Sequence, residues 1–288
     1  MTRLLITITL FATATLSLAQ DAPASIKSTE VAPGIFAIED AGGSITLLTG
    51  EEYNVLIDDG YVQLAPTVID ATSKLAGGPI DFVINTHVHG DHVGGNAALQ
   101  ESGAIVYAHD NIRKRLLDSP DAAGGPGGLP VITFSDEVTF HVNGLEAFVF
   151  HVENAHTDGD AAIEFRGANV IHAGDVFFSY VFPYIDLDNG GSVAGFLAAQ
   201  RRILAMSDDD TVIIAGHGKV KANRTDLQAA IDMLVDAEAR VRALVLKGST
   251  EEQVLAANPL AVYHDTWNWN FITTERMTKT LYRSLTSE

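Results

Sequence analysis

The segment from Thr86 to His92 (Thr-His-Val-His-Gly-Asp-His) holds the side chains best suited to chemistry in this chain. It contains three imidazoles and one carboxylate, follows the apolar run Phe82-Val83-Ile84 and is followed by Gly94-Gly95. Imidazole and carboxylate are the ligands that zinc takes when no thiolate is present. A polar turn with Asp91 as a helix N-cap would explain the aspartate, but not the three histidines around it. The segment therefore predicts a metal site.

The spacing of these residues favours two metal ions over one. His87 and His89 are two residues apart, so in an extended segment their rings point to the same side. Asp91 and His92 come where the chain is expected to enter a helix, and they turn onto a second face. Two adjacent sets of ligands suit two adjacent metals.

Three further polar residues follow predicted strands and could complete such a site. His156 lies in a loop, Asp175 follows His172-Ala173-Gly174, and His217 stands in Ala215-Gly216-His217-Gly218. Loops at the strand ends of a layered α/β fold meet along one edge, and the neighbouring glycines let the backbone approach closely. Each residue alone would pass for an ordinary turn residue. His172 could orient a ligand from behind, although packing within its strand is the simpler interpretation.

The elements that must position these residues alternate between strands and helices. The pattern predicts two sheets covered by helices on their outer faces. Asn143-Gly144 predicts a hairpin turn, and Ser249 and Glu252 have the spacing of a capping box. Predicted strands cover residues 34–38, 44–48, 54–58, 80–85, 104–107, 137–142, 145–150, 161–165, 169–172 and 211–215, and the longer predicted helices cover residues 65–75, 109–117, 193–206, 224–246, 250–257 and 273–285. Residues 20–28 are expected to form a polar linker, and the Gly/Pro-rich residues 121–130 a flexible loop without regular structure and a candidate substrate lid.

Composition limits the classes of function. The chain has 288 residues, 47% of them hydrophobic, which predicts one large domain with a sizeable core. It has no cysteine, so disulfides, thiolate ligands and a cysteine nucleophile are excluded. A formal net charge of −19 argues against nucleic acid as a partner. It favours neutral or cationic small molecules as substrates, although bound metal ions would invert the field locally and admit a carboxylate.

The N-terminal residues 1–19 have the pattern of a cleaved signal peptide. A short basic start is followed by an apolar run from Leu4 to Leu18, and small residues precede Gln20. A membrane anchor or a buried first helix is the alternative, but the run is shorter than the ~20 residues of a membrane span. We therefore expect a periplasmic or secreted protein without stable membrane insertion. The mature residues 20–288 would form one domain with a C-terminal helical extension from about residue 224, in an oligomeric state left open.

The order HxHxDH, then a lone histidine in a His-Thr loop, then Gly-Asp, then Gly-His-Gly resembles the metallo-β-lactamase-fold superfamily. The resemblance covers roughly residues 34–221. It implies the four-layer αββα sandwich with a dinuclear zinc site at one edge. It also implies that His87, His89 and His156 hold the first zinc, that Asp91, His92 and His217 hold the second, and that Asp175 bridges the two. In such a site a hydroxide held between two zinc ions attacks a carbonyl carbon, and Asp91 orients it or passes a proton.

Asp175 bears on the substrate. Many true zinc β-lactamases carry Cys or Ser at that place, whereas an aspartate is the pattern of glyoxalase II-like thioesterases, ribonuclease Z and lactonases. Lactonases of this fold place a tyrosine shortly after this aspartate, and Tyr180 and Tyr184 are the tyrosines available here. Lys219 could hold a substrate carboxylate, with a solvated loop lysine as the alternative. Trp267 and Trp269 are expected to pack in the core or between helices.

The sequence thus predicts an exported dinuclear zinc hydrolase that cleaves an ester, lactone, thioester or amide of a small molecule. The alternatives are a true β-lactamase, a mono-iron oxidoreductase of the persulfide-oxidising type, and a non-catalytic zinc-binding accessory protein. The oxidoreductase typically lacks a complete second site, which this chain keeps in Asp91, His92 and His217.

Overall fold

The computed structural model describes residues 26–287. The proposed signal peptide lies outside this range. A seven-stranded sheet has its strands in chain order, and the first three pairs are antiparallel while the last three are parallel. Its strands are β1 (Lys27–Ala32), β2 (Ile35–Glu39), β3 (Ile45–Leu48), β4 (Val55–Ile57), β5 (Phe82–Ile84), β6 (Ile105–His109) and β7 (Ile132–Phe134).

The second sheet has six strands in reverse chain order, antiparallel except for the parallel pair β11–β12. Its strands are β8 (Glu137–Val142), β9 (Leu145–His151), β10 (Ala161–Arg166), β11 (Val170–Ser179), β12 (Val212–Gly218) and β13 (Lys221–Ala222). The helices are α1 (Ala65–Ala76), α2 (Gly90–Val93), α3 (Asn96–Glu101), α4 (Asp110–Asp118), α5 (Val193–Met206), α6 (Arg224–Val245), α7 (Glu251–Ala257), α8 (His264–Trp267) and α9 (Thr274–Thr286).

Alternating side chains along the strands build three apolar layers. Between the sheets, Ile57 and Ile84 of the first sheet belong to one buried cluster with Ile163 of the second. The opposite face of the first sheet packs on α1 and α3. The opposite face of the second packs on α5, α6, α7 and α9. This is an αββα sandwich, as predicted, and it follows from sheets that are apolar on both faces and need a cover on each.

Several element predictions are wrong in detail. Residues 20–25 of the predicted linker lie outside the described range, and its last two residues belong to β1, which begins at Lys27. This strand is exposed along most of its length, so it lacks the apolar alternation that marks a strand. The predicted capping box at Ser249 and Glu252 lies one residue later, at Thr250 and Gln253. β11 continues seven residues past the predicted end at His172, to Ser179, and its whole length is buried.

The segment 121–130 is not without regular structure. Short 3-10 turns at Pro120–Ala123 and Pro126–Gly128 each begin with a proline, whose fixed φ suits that position. Gln100 of α3 donates to the carbonyl oxygen of Gly127 at 2.6 Å and Asn96 donates to that of Gly128 at 3.1 Å. The segment is therefore attached to α3, and it does not line the cavity described below.

No helix within residues 26–287 is both long and apolar enough to cross a membrane. The helices that would form the predicted C-terminal extension begin with α6 at Arg224, close to the expected residue. Residues of α6, α7 and α9 share one buried cluster with the second sheet.

Candidate metal centre

Four strands, β5, β9, β11 and β12, bring the seven predicted residues to one edge between the sheets. His87 and His89 follow β5, and α2 then presents Asp91 and His92. The other three come from the second sheet: His156 in the loop between β9 and β10, Asp175 within β11 and His217 near the end of β12. β11 is irregular here. Its register against β12 shifts on both sides of Gly174, which has a φ of 53° and lies against Thr86.

Four of these side chains form a first cluster. His87, His89, His156 and Asp175 each offer one ligand atom, all within 4.8 Å of one another. His156 Nε2 lies 2.8 Å from His89 Nδ1. Asp175 Oδ2 lies 3.5 Å from His156 Nε2 and 3.7 Å from His87 Nε2. Three imidazole nitrogens and one carboxylate oxygen thus surround one point.

The other three side chains, Asp91, His92 and His217, form a second cluster of the same kind. Asp91 Oδ2 lies 3.3 Å from His217 Nε2 and 3.7 Å from His92 Nε2. Asp175 also touches this cluster, because its Oδ1 lies 3.2 Å from His92 Nε2 and its Oδ2 lies 3.3 Å from His217 Nε2. Its carboxylate therefore lies between the two clusters and contacts both.

The hydrogen bonds behind the first cluster leave two lone pairs facing each other. His156 Nδ1 must donate to the carbonyl oxygen of Tyr184 at 2.7 Å, so its Nε2 has a free lone pair in the neutral ring. In the neutral ring of His89, Nε2 donates to the Asp186 carboxylate at 2.9 Å, and Nδ1 is then free in the same way. These two free nitrogens are the atoms 2.8 Å apart. A shared cation relieves that repulsion, so the donor set fits a metal ion.

Buried polar atoms without a partner indicate the same fit. His87 Nε2, His92 Nε2 and Asp175 Oδ1 are buried and make no hydrogen bond. Such atoms are costly to bury unless something compensates them. Each of them points into one of the two clusters, so bound cations would satisfy all three.

The protonation states suit metal binding with release of a proton. Burial lowers the pKa of His156 to about 3, so its ring is neutral and ready to act as a ligand. Burial also disfavours the charged form of His217, but the neighbouring Asp175 and Asp91 raise its pKa to about 9. Metal binding at the second cluster must displace that proton. The charges of His217 and His92 hold the pKa of the buried Asp175 well below its usual range, against the effect of burial.

Two aspartates that the sequence reasoning missed support the clusters from behind. Asp58 is buried, lies 2.7 Å from His92 Nδ1 and accepts hydrogen bonds from the backbone N–H and the hydroxyl of Thr86. Asp58 follows β4 directly and lies at the same sheet edge as the clusters, and this position could have indicated its role from the sequence. Asp186 binds His89 and lies in a loop without any recognisable motif. His172 is buried in its strand as predicted, with Thr46 on Nδ1 at 2.8 Å and Asp58 3.6 Å from Nε2.

A cavity of about 510 Å³ opens onto both clusters, and Tyr184 lines it. Tyr180 and Lys219, the other two predicted substrate-binding residues, do not line it. Tyr180 donates to Asp226 Oδ1 at 2.9 Å, and Lys219 donates to Asp226 Oδ2 at 2.7 Å. Trp269, expected in the core or between helices, packs against the core of the second sheet and also lies in the cavity wall, 5.7 Å from the ring of His217.

The sequence and structure comparisons identify the family. Residues 38–217 match the family model described as the metallo-beta-lactamase superfamily. The chain is 26% identical over 231 residues to a hydroxyacylglutathione hydrolase of Brucella anthropi, covering 75% of this chain and 83% of the relative. A hydroxyacylglutathione hydrolase of Brucella abortus is also 26% identical, over 235 residues that cover 75% of this chain and 84% of the relative.

Solved structures share the fold. The metallo-beta-lactamase from Pontibacter korlensis has a TM-score of 0.64 at 17% identity, covering 74% of this chain and 100% of that one. The sec-alkylsulfatase Pisa1 from Pseudomonas sp. has a TM-score of 0.69 at 17% identity, covering 90% of this chain and 50% of that one. With the family match extending over more than half of the sequence, the chain belongs to the metallo-β-lactamase superfamily of metallo-hydrolases.

Proposed function

We propose that the protein is an exported dinuclear zinc hydrolase that cleaves an ester, lactone, thioester or amide bond of a small molecule. The observation that carries this proposal is the position of Asp175 between two clusters of metal-ligand type, with carboxylate oxygens 3.2–3.7 Å from four imidazole nitrogens. A carboxylate shared in this way suits two metal ions held side by side.

The donor atoms support zinc as the metal. All seven candidate ligands offer imidazole nitrogen or carboxylate oxygen, and the chain has no cysteine. We assign His87, His89 and His156 to the first zinc and Asp91, His92 and His217 to the second, with Asp175 between them. Two zinc ions bound there would supply Lewis acidity and would lower the pKa of a bound water to near neutral.

The chain's own residues divide the remaining tasks. Asp58 and Asp186 hold the rings of His92 and His89 in one orientation. Asp91 reaches the cavity and is partly exposed, so its carboxylate is placed to orient water and to carry a proton to the leaving group. The wall of the cavity holds the substrate and keeps bulk water away from the carbonyl.

The curated relatives favour a thioester among the possible substrates, since those relatives are hydroxyacylglutathione hydrolases. The β-lactamase reading has less support, because the solved metallo-β-lactamase structures are below 20% identical and share only the fold. Export rests on the pattern of residues 1–19. Its test is the N-terminal sequence of the protein recovered outside the cytoplasm, which should begin at Gln20.

The activity test uses the purified chain from Gln20, loaded with zinc, against S-lactoylglutathione, a lactone, a simple ester and imipenem. His89→Ala and Asp91→Ala should abolish hydrolysis and lower the zinc content, whereas His141→Ala, a histidine exposed at the hairpin, should behave as wild type. Undiminished hydrolysis in both cluster variants would refute the mechanism. Iron in protein purified without added metal would instead support the oxidoreductase alternative.

A further inference from the structure

Four aromatic side chains form a continuous wall on one side of the cavity. This aromatic wall consists of Phe178, Tyr184, Trp269 and Phe271, and all four residues line the cavity. Trp269 joins Phe178 and Phe271 with ring centroids 6.2 and 5.6 Å apart, and Tyr184 lies 5.3 Å from Phe271. Packed rings of this kind offer a broad apolar surface at little cost in side-chain entropy.

The wall lies directly against both metal clusters. The ring of Phe178 stacks on His217 at 5.2 Å, and the ring of Tyr184 stacks on His89 at 5.6 Å. A group bound on the wall therefore lies within a few bonds of any carbonyl carbon held over the clusters. Tyr61, which is 41% exposed, lines the cavity as well.

Hydrogen bonds fix the position of Trp269 in the wall. Trp269 donates its indole N–H to the carbonyl oxygen of Phe182 at 2.9 Å, and the N–H of Phe182 bonds to the carbonyl oxygen of Trp267 at 2.7 Å. These bonds attach the segment after α8 to the loop that follows β11. Phe271 remains 47% exposed, so its ring is accessible to a bound group.

No lysine or arginine of residues 26–287 lines the cavity. Lys219 is held by Asp226. Arg276 lies over the rings of Phe271 and Tyr184, 4.4 and 5.1 Å from their centroids, and lines the neighbouring groove instead. Apart from the histidines of the two clusters, the cavity side chains thus provide no cation for a substrate carboxylate or phosphate, so only the clusters could hold an anion.

We propose that the substrate carries an uncharged apolar group next to its scissile carbonyl, and that the aromatic wall binds this group. The inference rests on the proposed hydrolytic function and names its substrate class. Half of the wall, Trp269 and Phe271, lies beyond residues 38–217, the part that matches the family model. The part of this specificity that Trp269 and Phe271 provide therefore belongs to the C-terminal segment of this chain and does not follow from family membership.

The test uses two matched pairs of thioesters. The first compares the S-methyl thioesters of hydrocinnamic acid and of succinic acid, which differ only in phenyl against carboxylate. The second compares S-benzyl thioacetate with S-carboxymethyl thioacetate. Hydrolysis adds water across the acyl C–S bond and releases the thiol and the acid. Because the chain has no cysteine, a thiol reagent reports only the product.

For the zinc-loaded wild type we expect kcat/KM for the apolar member of at least one pair to exceed that of its anionic partner by about tenfold or more. Trp269→Ala and Phe271→Ala should each reduce this ratio several-fold. Tyr53→Ala is the matched control, since Tyr53 is 41% exposed but lies against Phe82, away from the cavity. Equal or reversed preference in both pairs, or a ratio unchanged in both wall variants, would overturn the proposal.

A binding measurement separates this proposal from the proposed function. Benzylacetone keeps the phenyl group and the carbonyl of the hydrocinnamoyl thioester but has no bond to hydrolyse. Its Kd, from calorimetry on the zinc-loaded protein, should rise several-fold in Trp269→Ala and in Phe271→Ala but not in Tyr53→Ala. With wall-dependent binding and no hydrolysis of any thioester, ester, lactone or imipenem, the wall's preference for an apolar ligand stands and the hydrolytic function fails. With hydrolysis and binding indifferent to the wall, the substrate class alone fails.

Discussion

The carboxylate of Asp58 lies 2.7 Å from Nδ1 of His92, and neither side chain is exposed to solvent. Asp58 also accepts both hydrogen bonds that Thr86 offers, each at 2.7 Å. Burial alone would raise the pKa of Asp58, but His92 and His172 hold it below its ordinary value, so the group stays a carboxylate. This contact keeps a proton on His92 Nδ1. Nε2 is therefore the nitrogen that could bind a metal, once it has lost the proton that Asp175, Asp91 and Asp58 favour by raising the pKa of His92 against the effect of burial.

Replacing Asp58 with Asn should weaken metal binding at the second cluster. The amide can still accept from Thr86, but it loses the charge that favours the proton on His92 Nδ1 and orients the ring. Loss of a partner behind a metal ligand typically costs about 10–100-fold in affinity. We expect one of the two zinc ions to dissociate about 10–100-fold more readily, as measured by competition with a chromogenic chelator.

Asp81→Asn is the control for this substitution. Asp81 lies just before β5, at the end of that strand opposite to the metal clusters. Its carboxylate accepts from the backbone N–H of Asn54 at 2.8 Å. It should retain both zinc ions with unchanged affinity. Equal zinc affinity in Asp58→Asn and wild type would contradict the assignment of His92 as a ligand oriented by Asp58.

Removing the metal should lower thermal stability, because buried atoms that make no hydrogen bond, such as His87 Nε2, would then lose the metal ion as their partner. A ligand at about 100 times its Kd stabilises the folded state by about 2.7 kcal/mol. At about 2–4 °C per kcal/mol, each zinc ion should contribute about 5–10 °C to the Tm. Calorimetry of zinc-loaded and chelator-treated protein measures this difference.

The same chelation in His89→Ala should produce a smaller drop in Tm, because the first cluster is already incomplete. His141→Ala should show the full drop. A Tm that is unaffected by chelation in the wild type would mean that the clusters hold no stabilising metal.

The sequence predicted the αββα layers and the residues that meet at the sheet edge, because both depend on local patterns. Apolar alternation marks the strands, and a histidine or aspartate directly after a strand lies at its carboxyl end. Asp58 has the same kind of position, but a single aspartate after a strand is too common to be distinguished. Asp186 lies in an irregular loop, and only the tertiary fold brings it 2.9 Å from His89.

The substrate-binding predictions depended on side-chain direction, which spacing does not determine. Tyr180 has a φ of 57°, and this left-handed turn at the end of β11 accompanies a side chain that donates to Asp226 and not into the cavity. Tyr184 follows four residues later and lines the cavity. Trp269 reaches the site from a segment more than fifty residues past His217, a distance over which no sequence pattern indicates contact.

Asp226→Ala should destabilise the protein more than it affects catalysis. Asp226 is the N3 residue of α6 and forms its capping box with Asn223, and it also accepts from Tyr180 and Lys219. Losing the box and the acidic group at the helix start should cost about 1–2 kcal/mol in the free energy of unfolding. Urea denaturation measures this, and kcat/KM of the folded variant should stay within about twofold of wild type. An undiminished unfolding free energy, or a large catalytic defect in folded protein, would contradict this structural role.

Asp160 should make stability fall as pH rises. Its carboxyl accepts from the N–H and the hydroxyl of Thr157 at 2.8 and 2.6 Å, yet burial dominates and raises its pKa from 3.8 to about 8. Between pH 3.8 and about pH 8 the folded state therefore holds a proton that the unfolded state has released. Over this range the free energy of unfolding falls by up to about 1.4 kcal/mol per pH unit. Asp160→Asn removes the titration, so wild type should lose unfolding free energy relative to this variant between pH 5 and pH 8. Urea denaturation at several pH values, at fixed zinc, tests this.

The exposed Asp209→Asn, as the control for loss of a charge, should follow wild type. A constant difference between wild type and Asp160→Asn, or one that grows in favour of wild type, would show that Asp160 is ionised in the folded protein.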